Sequence, residues 1–133
     1  MSEELTEHEL ELLSGIFEMA RNGDVAQVSA LMDAGLPVNL TNSAGDTLLI
    51  LAAYHDHAEL VKCLIDRGAD TERVNDRGQT ALGAATFRQS APCVSALLAA
   101  GADPDAGRQS ARAVATFFEL PEMLALLTSR RVG

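Results

Sequence analysis

The stretch LIDRGADTERVNDRGQTALGAA, residues 64–85, decides the fold because parts of it recur on both sides. The tripeptide Gly-Ala-Asp occupies residues 68–70 and again residues 101–103, and the related Gly-Leu-Pro occupies residues 35–37. Successive copies are 33 residues apart. A fixed period of this length predicts a solenoid, in which each repeat buries its apolar face against its neighbours.

Other positions agree with the same period. It aligns identical apolar residues, namely Val28, Val61 and Val94, and Leu31, Leu64 and Leu97. Thr47 aligns with Thr80, and Ser110 joins that column at an offset of 30 residues, so the last copy is shortened near its loop. These three hydroxyl residues each precede a short apolar stretch, where the side-chain oxygen accepts hydrogen bonds from free helical N–H groups. We therefore expect three helix N-caps.

Each repeat is predicted to contain two antiparallel helices. The stretches LLILAAY (48–54) and ALGAATF (81–87) are too short to be stable alone, and their paired alanines allow helices to approach closely. The segments HAELVKCLIDRG (57–68) and SAPCVSALLAAG (90–101) are apolar on one face and end in a glycine suited to a helix C-terminus. Asp56, in the turn between helices, tolerates a left-handed backbone. Loops 36–46 and 69–79 are rich in Asn, Asp and Gly, which predicts hairpins.

The two ends of the chain carry signals of their own. Thr6 with Glu9 forms a capping-box pattern and Leu5 with Leu10 a hydrophobic staple, which predicts a helix over residues 7–21. The acidic outer face of that helix suits a solvated end of the stack. At the other end, residues 130–131 are both Arg, a charge that the C-terminus of a last helix favours.

Composition limits the classes of function. The chain has 133 residues and a net charge of −9, without a long basic cluster, so we expect no nucleic-acid partner. No apolar run reaches the length of about 18 residues that a membrane span needs, and the N-terminus is acidic where a targeting peptide would be basic. These observations predict a cytoplasmic protein without membrane contact. Cys63 and Cys93 fall at different phases of the repeat and are expected to be small buried thiols.

The segments NSAGDTLLILAAYHDHAELVKCLIDRGAD (42–70) and NDRGQTALGAATFRQSAPCVSALLAAGAD (75–103) resemble ankyrin repeats. That family combines a hairpin, the box G-x-T-P-L-H-x-A-A, a turn, a second helix and a closing G-A-D. The resemblance covers about residues 14–128 and implies an all-α ankyrin-repeat solenoid. It divides a single domain, residues 1–133, into a capping helix with a first repeat (1–41), two full repeats (42–74 and 75–106) and a short capping repeat (107–133).

The sequence departs from the family pattern in the T-P-L-H box. That box reads Thr-Leu-Leu-Ile at residues 47–50 and Thr-Ala-Leu-Gly at residues 80–83. The missing His removes the side-chain network by which the family ties one hairpin to the next, so apolar packing is expected to compensate. Gly83 costs about 1 kcal/mol in a helix relative to Ala, which indicates a close contact or local flexibility there.

The resemblance implies binding through the concave face and the hairpin tips. The position after the paired alanines is aromatic in three copies, which makes a column of Tyr54, Phe87 and Phe117. We predict a partner-binding stripe from this column and its neighbours His55, Arg88, Phe118 and Arg21, since aromatics and Arg anchor interfaces. The alternative is that the rings pack between repeats or seal the core. The hairpin residues that match the family's variable contact positions are Ser43, Asp46, Asp76, Arg77 and Gln79.

No residue pattern for catalysis accompanies these features. His55, Asp56 and His57 form an H-x-H motif without further ligands at suitable spacing, so neither a metal nor another cofactor is expected. Asp103 and Asp105 are interpreted as solvated loop residues rather than an acid–base pair.

Two functions therefore remain open. The first is a non-enzymatic, monomeric module that binds another protein, with the net charge favouring a partner that carries a basic patch. The second is an accessory factor that stabilises or regulates one enzyme, for instance a stress-response enzyme. No residue of this chain argues for the second function over the first.

Overall fold

The computed structural model describes residues 7–129, which form eight α-helices. Their bounds are α1 Glu7–Asn22, α2 Val25–Asp33, α3 Leu48–Tyr54, α4 Ala58–Asp66, α5 Ala81–Phe87, α6 Ala91–Ala99, α7 Ala111–Phe117 and α8 Pro121–Ser129. The predicted capping box, staple and final Arg pair involve residues whose side chains lie outside the described part of the chain.

The helices form two parallel rows of antiparallel pairs. Helices α1, α3, α5 and α7 pack in sequence as the inner row, and α2, α4, α6 and α8 follow one another in the outer row. Each inner helix also packs against the outer helix that follows it in the chain. This linear order confirms the predicted all-α solenoid. None of the helices in residues 7–129 has the length and apolarity that crossing a lipid bilayer requires.

The helix boundaries follow from the residues predicted to make them. Thr47 Oγ1 accepts from Ile50 N at 3.0 Å and Thr80 Oγ1 accepts from Gly83 N at 3.0 Å. Ser110 Oγ accepts from Ala113 N at 3.1 Å, so all three expected N-caps are present. The outer helices α2, α4 and α6 are each followed by a glycine with positive φ, at residues 35, 68 and 101.

The core lies between the two rows. Fully buried apolar residues recur at the repeat period, among them Val28, Val61, Val94, Leu64 and Leu97. Leu31 is exposed, whereas Leu64 and Leu97, the residues with which it aligns, are buried. The reason is that the described chain has no outer helix before α2 to cover Leu31. Cys93 is buried and Cys63 half-buried, both as free thiols, with the Cys63 sulfur 3.2 Å from Ser29 Oγ.

Hydrogen bonds connect successive hairpins, so apolar packing is not the only substitute for the missing family histidine. Asp76 N donates to Ala44 O at 3.0 Å, and Gln109 N donates to Gly78 O at 2.9 Å. The Asn75 side chain donates to Asp46 Oδ1 at 2.8 Å. The expectation that apolar packing compensates was therefore incomplete, because the hairpin backbones approach closely enough to form hydrogen bonds as well.

Gly83 marks a close approach between two repeats. A Cβ atom at this position would lie 2.6 Å from the carbonyl oxygen of Gln109, which is fixed in the next hairpin. Of the two explanations considered from the sequence, the close contact is the one observed.

Candidate partner-binding groove

A groove of about 480 Å³ runs along the inner row, between the C-terminal ends of the inner helices and the hairpins. It is lined by Arg21, Asp46, Ile50, Leu51, Tyr54, His55, Arg77, Gln79, Phe87, Gln109, Val114 and Phe118. Eight of the twelve residues predicted as partner-binding therefore lie in its wall. Arg88 flanks it, whereas Ser43, Asp76 and Phe117 lie outside.

Aromatic rings form a continuous row in this groove. Tyr54 and Phe87 stack in parallel, with ring centroids 6.2 Å apart and an interplanar angle of 6°. Phe87 meets Phe118 edge to face at 5.5 Å. Each of these rings comes from a different repeat, because α3, α5 and α7 end side by side. Because each of these three repeats contributes one ring to the row, Tyr54, Phe87 and Phe118 together form one aromatic surface.

The third ring of the row belongs to Phe118 rather than to Phe117. Phe117 packs edge to face on Phe118 at 4.9 Å but leaves 78% of its surface exposed. Tyr54 and Phe87 occupy the same final helix position in α3 and α5, where the ring of the following repeat covers part of each. No inner helix follows α7 in residues 7–129, so Phe117 lacks that cover and extends past the row.

Positive groups surround the aromatic row. The Arg88 guanidinium carbon lies 5.3 Å from the centre of the Tyr54 ring, a cation–π arrangement. Arg21 is half-buried and forms an exposed ion pair with Glu18 at 3.0 Å. Burial lowers the pKa of His55 below its ordinary value, and the positive charges of His57, Arg88 and Arg21 lower that pKa further. This imidazole is therefore more readily neutral than a free histidine at neutral pH.

Two predicted contact residues have structural roles. Asp46 and Gln79 are 7% and 6% exposed and accept hydrogen bonds from the Asn75 side chain at 2.8 and 3.2 Å. Arg77 adds a 3.3 Å bond from its guanidinium to Gln79 Oε1, which holds that guanidinium over the groove. Ser43 and Asp76 are exposed at the hairpin tips.

The sequence reasoning missed one polar member and the apolar floor of the groove. Gln109 precedes the N-cap Ser110 as Gln79 precedes Thr80, so the repeat alignment contained the signal for it. Leu51 and Val114 each follow their N-cap by four residues, which places both on the inner face of their helices. Their apolar character pointed to the core, and the open groove leaves part of them accessible to a ligand.

The H-x-H motif has a structural role. The His57 Nε2 atom lies 2.7 Å from the carbonyl oxygen of Arg21, to which it donates a hydrogen bond, so it ties the second inter-helix turn to the end of α1. Within residues 7–129, no group of three or more His, Cys, Asp or Glu side chains converges as metal ligands would.

The repeat geometry agrees with comparison to known proteins. A family model described as "Ankyrin repeats (3 copies)" matches residues 16–108. The chain belongs to the ankyrin-repeat family. Ankyrin repeats are protein–protein interaction modules, and this ankyrin-repeat protein presents the two rows of helices and the hairpins that the resemblance implied.

Individual proteins are similar to parts of this chain in sequence or in structure. An ankyrin repeat protein of Pseudomonas aeruginosa, PA3287, is 44% identical over 52 residues, which are 39% of this chain and 30% of that protein. The crystal structure of the human ASB11 ankyrin repeat domain superimposes with a TM-score of 0.78 at 28% identity. The superposition covers 89% of this ankyrin-repeat protein and 54% of the ASB11 chain, so this chain spans about half of that domain.

Proposed function

We propose that the groove binds a segment of a partner protein, and that the protein acts by recognition, without catalysing a reaction. The observation that carries this proposal is the row of rings from Tyr54, Phe87 and Phe118. Phe87 and Phe118 leave 41% and 49% of their surfaces exposed although apolar floor residues lie beside them. Large exposed aromatics in contact with one another mark interaction sites, because isolated folding would favour their burial.

The groove also has the residue types that dominate binding energy. Aromatic rings and Arg are enriched among the few residues that carry most of an interface's affinity. Here the rings are held by one another, and Arg77 and Arg88 are held by Gln79 and Tyr54. Such fixed side chains lose little conformational freedom when a partner binds, which favours affinity.

The groups of the groove suit recognition better than catalysis. Asp46, the only carboxylate among the described residues that line the groove, is engaged by the Asn75 side chain, and its burial keeps it from a substrate. We propose that the protein binds as a monomer in the cytoplasm and takes no cofactor. The net charge of −9 attracts a basic surface at long range, and this would speed the encounter at low salt.

Site-specific photocrosslinking tests the groove as the binding surface. A benzophenone amino acid replaces Gln109 at the groove rim in one variant and the exposed Ala99 of the outer helix α6 in another. Both are irradiated in extract of the source organism. We expect a discrete protein adduct from position 109 only, which weakens when Phe87→Ala is added.

The pattern of adducts separates the alternatives. An adduct from position 99 alone, or none from position 109, would contradict the proposal. A single adduct that proves to be one enzyme, recovered in stoichiometric amount, would favour the accessory-factor function. Several different adducts would favour a general adaptor.

A further inference from the structure

The charges that line the groove are opposite in sign to the charge of the whole chain. Arg77 lies in its wall, and Arg88 flanks it over Tyr54. Arg21 also lies in the wall but is paired with Glu18 at 3.0 Å, and the lowered pKa of His55 favours its neutral form. Asp46, the one carboxylate that the described part of the chain places in the wall, is buried and hydrogen-bonded to Asn75. A ligand in the groove therefore meets cationic groups that are available and an anionic group that is not.

Three other arginines of the repeats are paired with carboxylates away from the groove. Arg67 pairs with Asp33 at 2.8 Å, Arg73 with Asp70 at 3.3 Å and Arg112 with Asp105 at 2.7 Å. Within residues 7–129, neither Arg77 nor Arg88 forms an ion pair with a carboxylate. Two cations without a carboxylate partner thus lie beside the aromatic row.

Distance decides which charge a bound segment experiences. In about 0.1 M salt the Debye length is roughly 10 Å, so carboxylates on the outer row are largely screened from the groove. A ligand carboxylate that touches Arg77 or Arg88 forms a charge-assisted hydrogen bond of about 2.7–2.9 Å, which is screened far less. The whole-chain charge acts on the approach of a partner, whereas the groove arginines act on the segment that is bound.

We infer that the groove takes an acidic segment of the partner protein, with Asp or Glu carboxylates on Arg77 and Arg88 and an apolar side chain against Tyr54 and Phe87. This inference rests on the proposed function and names the chemistry of its ligand. It differs from the expectation of a basic partner drawn from the net charge. A nucleic-acid backbone fits poorly, because few cations face the groove and the net charge of −9 opposes a polyanion.

Peptide selection tests this chemistry while the partner is still unidentified. A phage-displayed library of random peptides is selected in parallel on the wild-type protein and on the double variant Arg77→Gln/Arg88→Gln. The control variant Arg67→Gln/Arg73→Gln changes the net charge equally but removes arginines that already have carboxylate partners. Peptides enriched on the wild type are then synthesised, and their affinities are measured by fluorescence anisotropy.

We expect the enriched peptides to combine Asp or Glu with aromatic or aliphatic residues. Their affinity should fall about tenfold for Arg77→Gln/Arg88→Gln and change less than about twofold for the control. Enriched peptides that are neutral or basic would overturn the inference and leave the proposed function standing. A loss of affinity equal in the two variants would overturn it as well. No enrichment on the wild type would contradict the proposed function together with the inference.

Discussion

The side-chain amide of Asn75 donates a hydrogen bond to Asp46 Oδ1 across 2.8 Å and so joins two successive hairpins. The carbonyl oxygen of the same Asn75 side chain accepts hydrogen bonds from the backbone N–H groups of Arg77 and Gln79, each at 3.0 Å. These two bonds shape the hairpin to which Asn75 belongs. One side chain therefore both folds its own loop and attaches it to the preceding one.

Replacing Asn75 should cost more stability than replacing its counterpart one repeat earlier. Asn42 accepts from Ala44 N at 3.0 Å and Asp46 N at 2.9 Å, but within the described residues its side chain makes no bond to another repeat. We expect Asn75→Ala to lower the free energy of unfolding by about 3 kcal/mol and Asn42→Ala by about 1.5 kcal/mol, since a bond to a buried carboxylate is charge-assisted. Urea unfolding measures both, and equal losses would show that the bond to Asp46 contributes nothing.

Gly83→Ala should destabilise the protein although alanine is the better helix former. The gain in helix propensity is about 1 kcal/mol, but the new Cβ would lie 2.6 Å from the Gln109 carbonyl oxygen. The backbone carbonyl group of Gln109 can move only a little, and overpacking costs about 1–3 kcal/mol. We therefore expect a net loss of stability. Gly15→Ala is the matched control because, among the atoms that the structure describes, none outside its own helix turn lies within 4 Å of the place its Cβ would take, and it should raise the melting temperature. A melting temperature raised by both substitutions would contradict the close contact.

Part of the protein's acid sensitivity should come from His55. Its folded-state pKa is lowered by burial and by His57, Arg88 and Arg21. At a pH below the ordinary pKa of histidine, the unfolded chain therefore binds a proton at this position more readily than the folded protein does. The stability that His55 contributes is thus present above about pH 6.5 and is lost as the pH falls toward the folded-state pKa. Wild type should lose more stability than His55→Gln between about pH 7.5 and about pH 5.5. Identical losses in denaturant titrations would exclude this role.

The aromatic positions should differ in their effects on stability. Phe117 is mostly exposed, so Phe117→Ala is expected to change the free energy of unfolding by less than about 0.5 kcal/mol. Phe87 is half-covered by Tyr54 and Phe118, and Phe87→Ala should cost about 1–2 kcal/mol, well below the roughly 3–5 kcal/mol of a fully buried ring. Thermal unfolding checks both values. A loss of the fully buried size at Phe87 would identify its ring as core rather than as binding surface.

The features that repeat locally could be predicted, whereas contacts between repeats could not. Thr47, Thr80 and Ser110 were identified as N-caps because a cap depends on residues three positions away. The bond from Asn75 to Asp46 depends on how two hairpins align, which the spacing of residues does not specify. The sequence likewise placed Phe117 and Phe118 side by side at the end of α7, but which ring enters the groove depends on the neighbour that packs against it.

The hydrogen bonds that join successive hairpins allow the molecule to be extended by whole repeats. A second copy of residues 42–74 inserted after residue 74 would offer Ala44 O and Asp46 to the hairpin of residues 75–79, as the original copy does. The seam that holds Gly83 against Gln109 would stay untouched, because it lies on the other side of that hairpin. An enlarged protein of this kind would carry an additional tyrosine in the row of rings, and its footprint on a ligand would grow by one module.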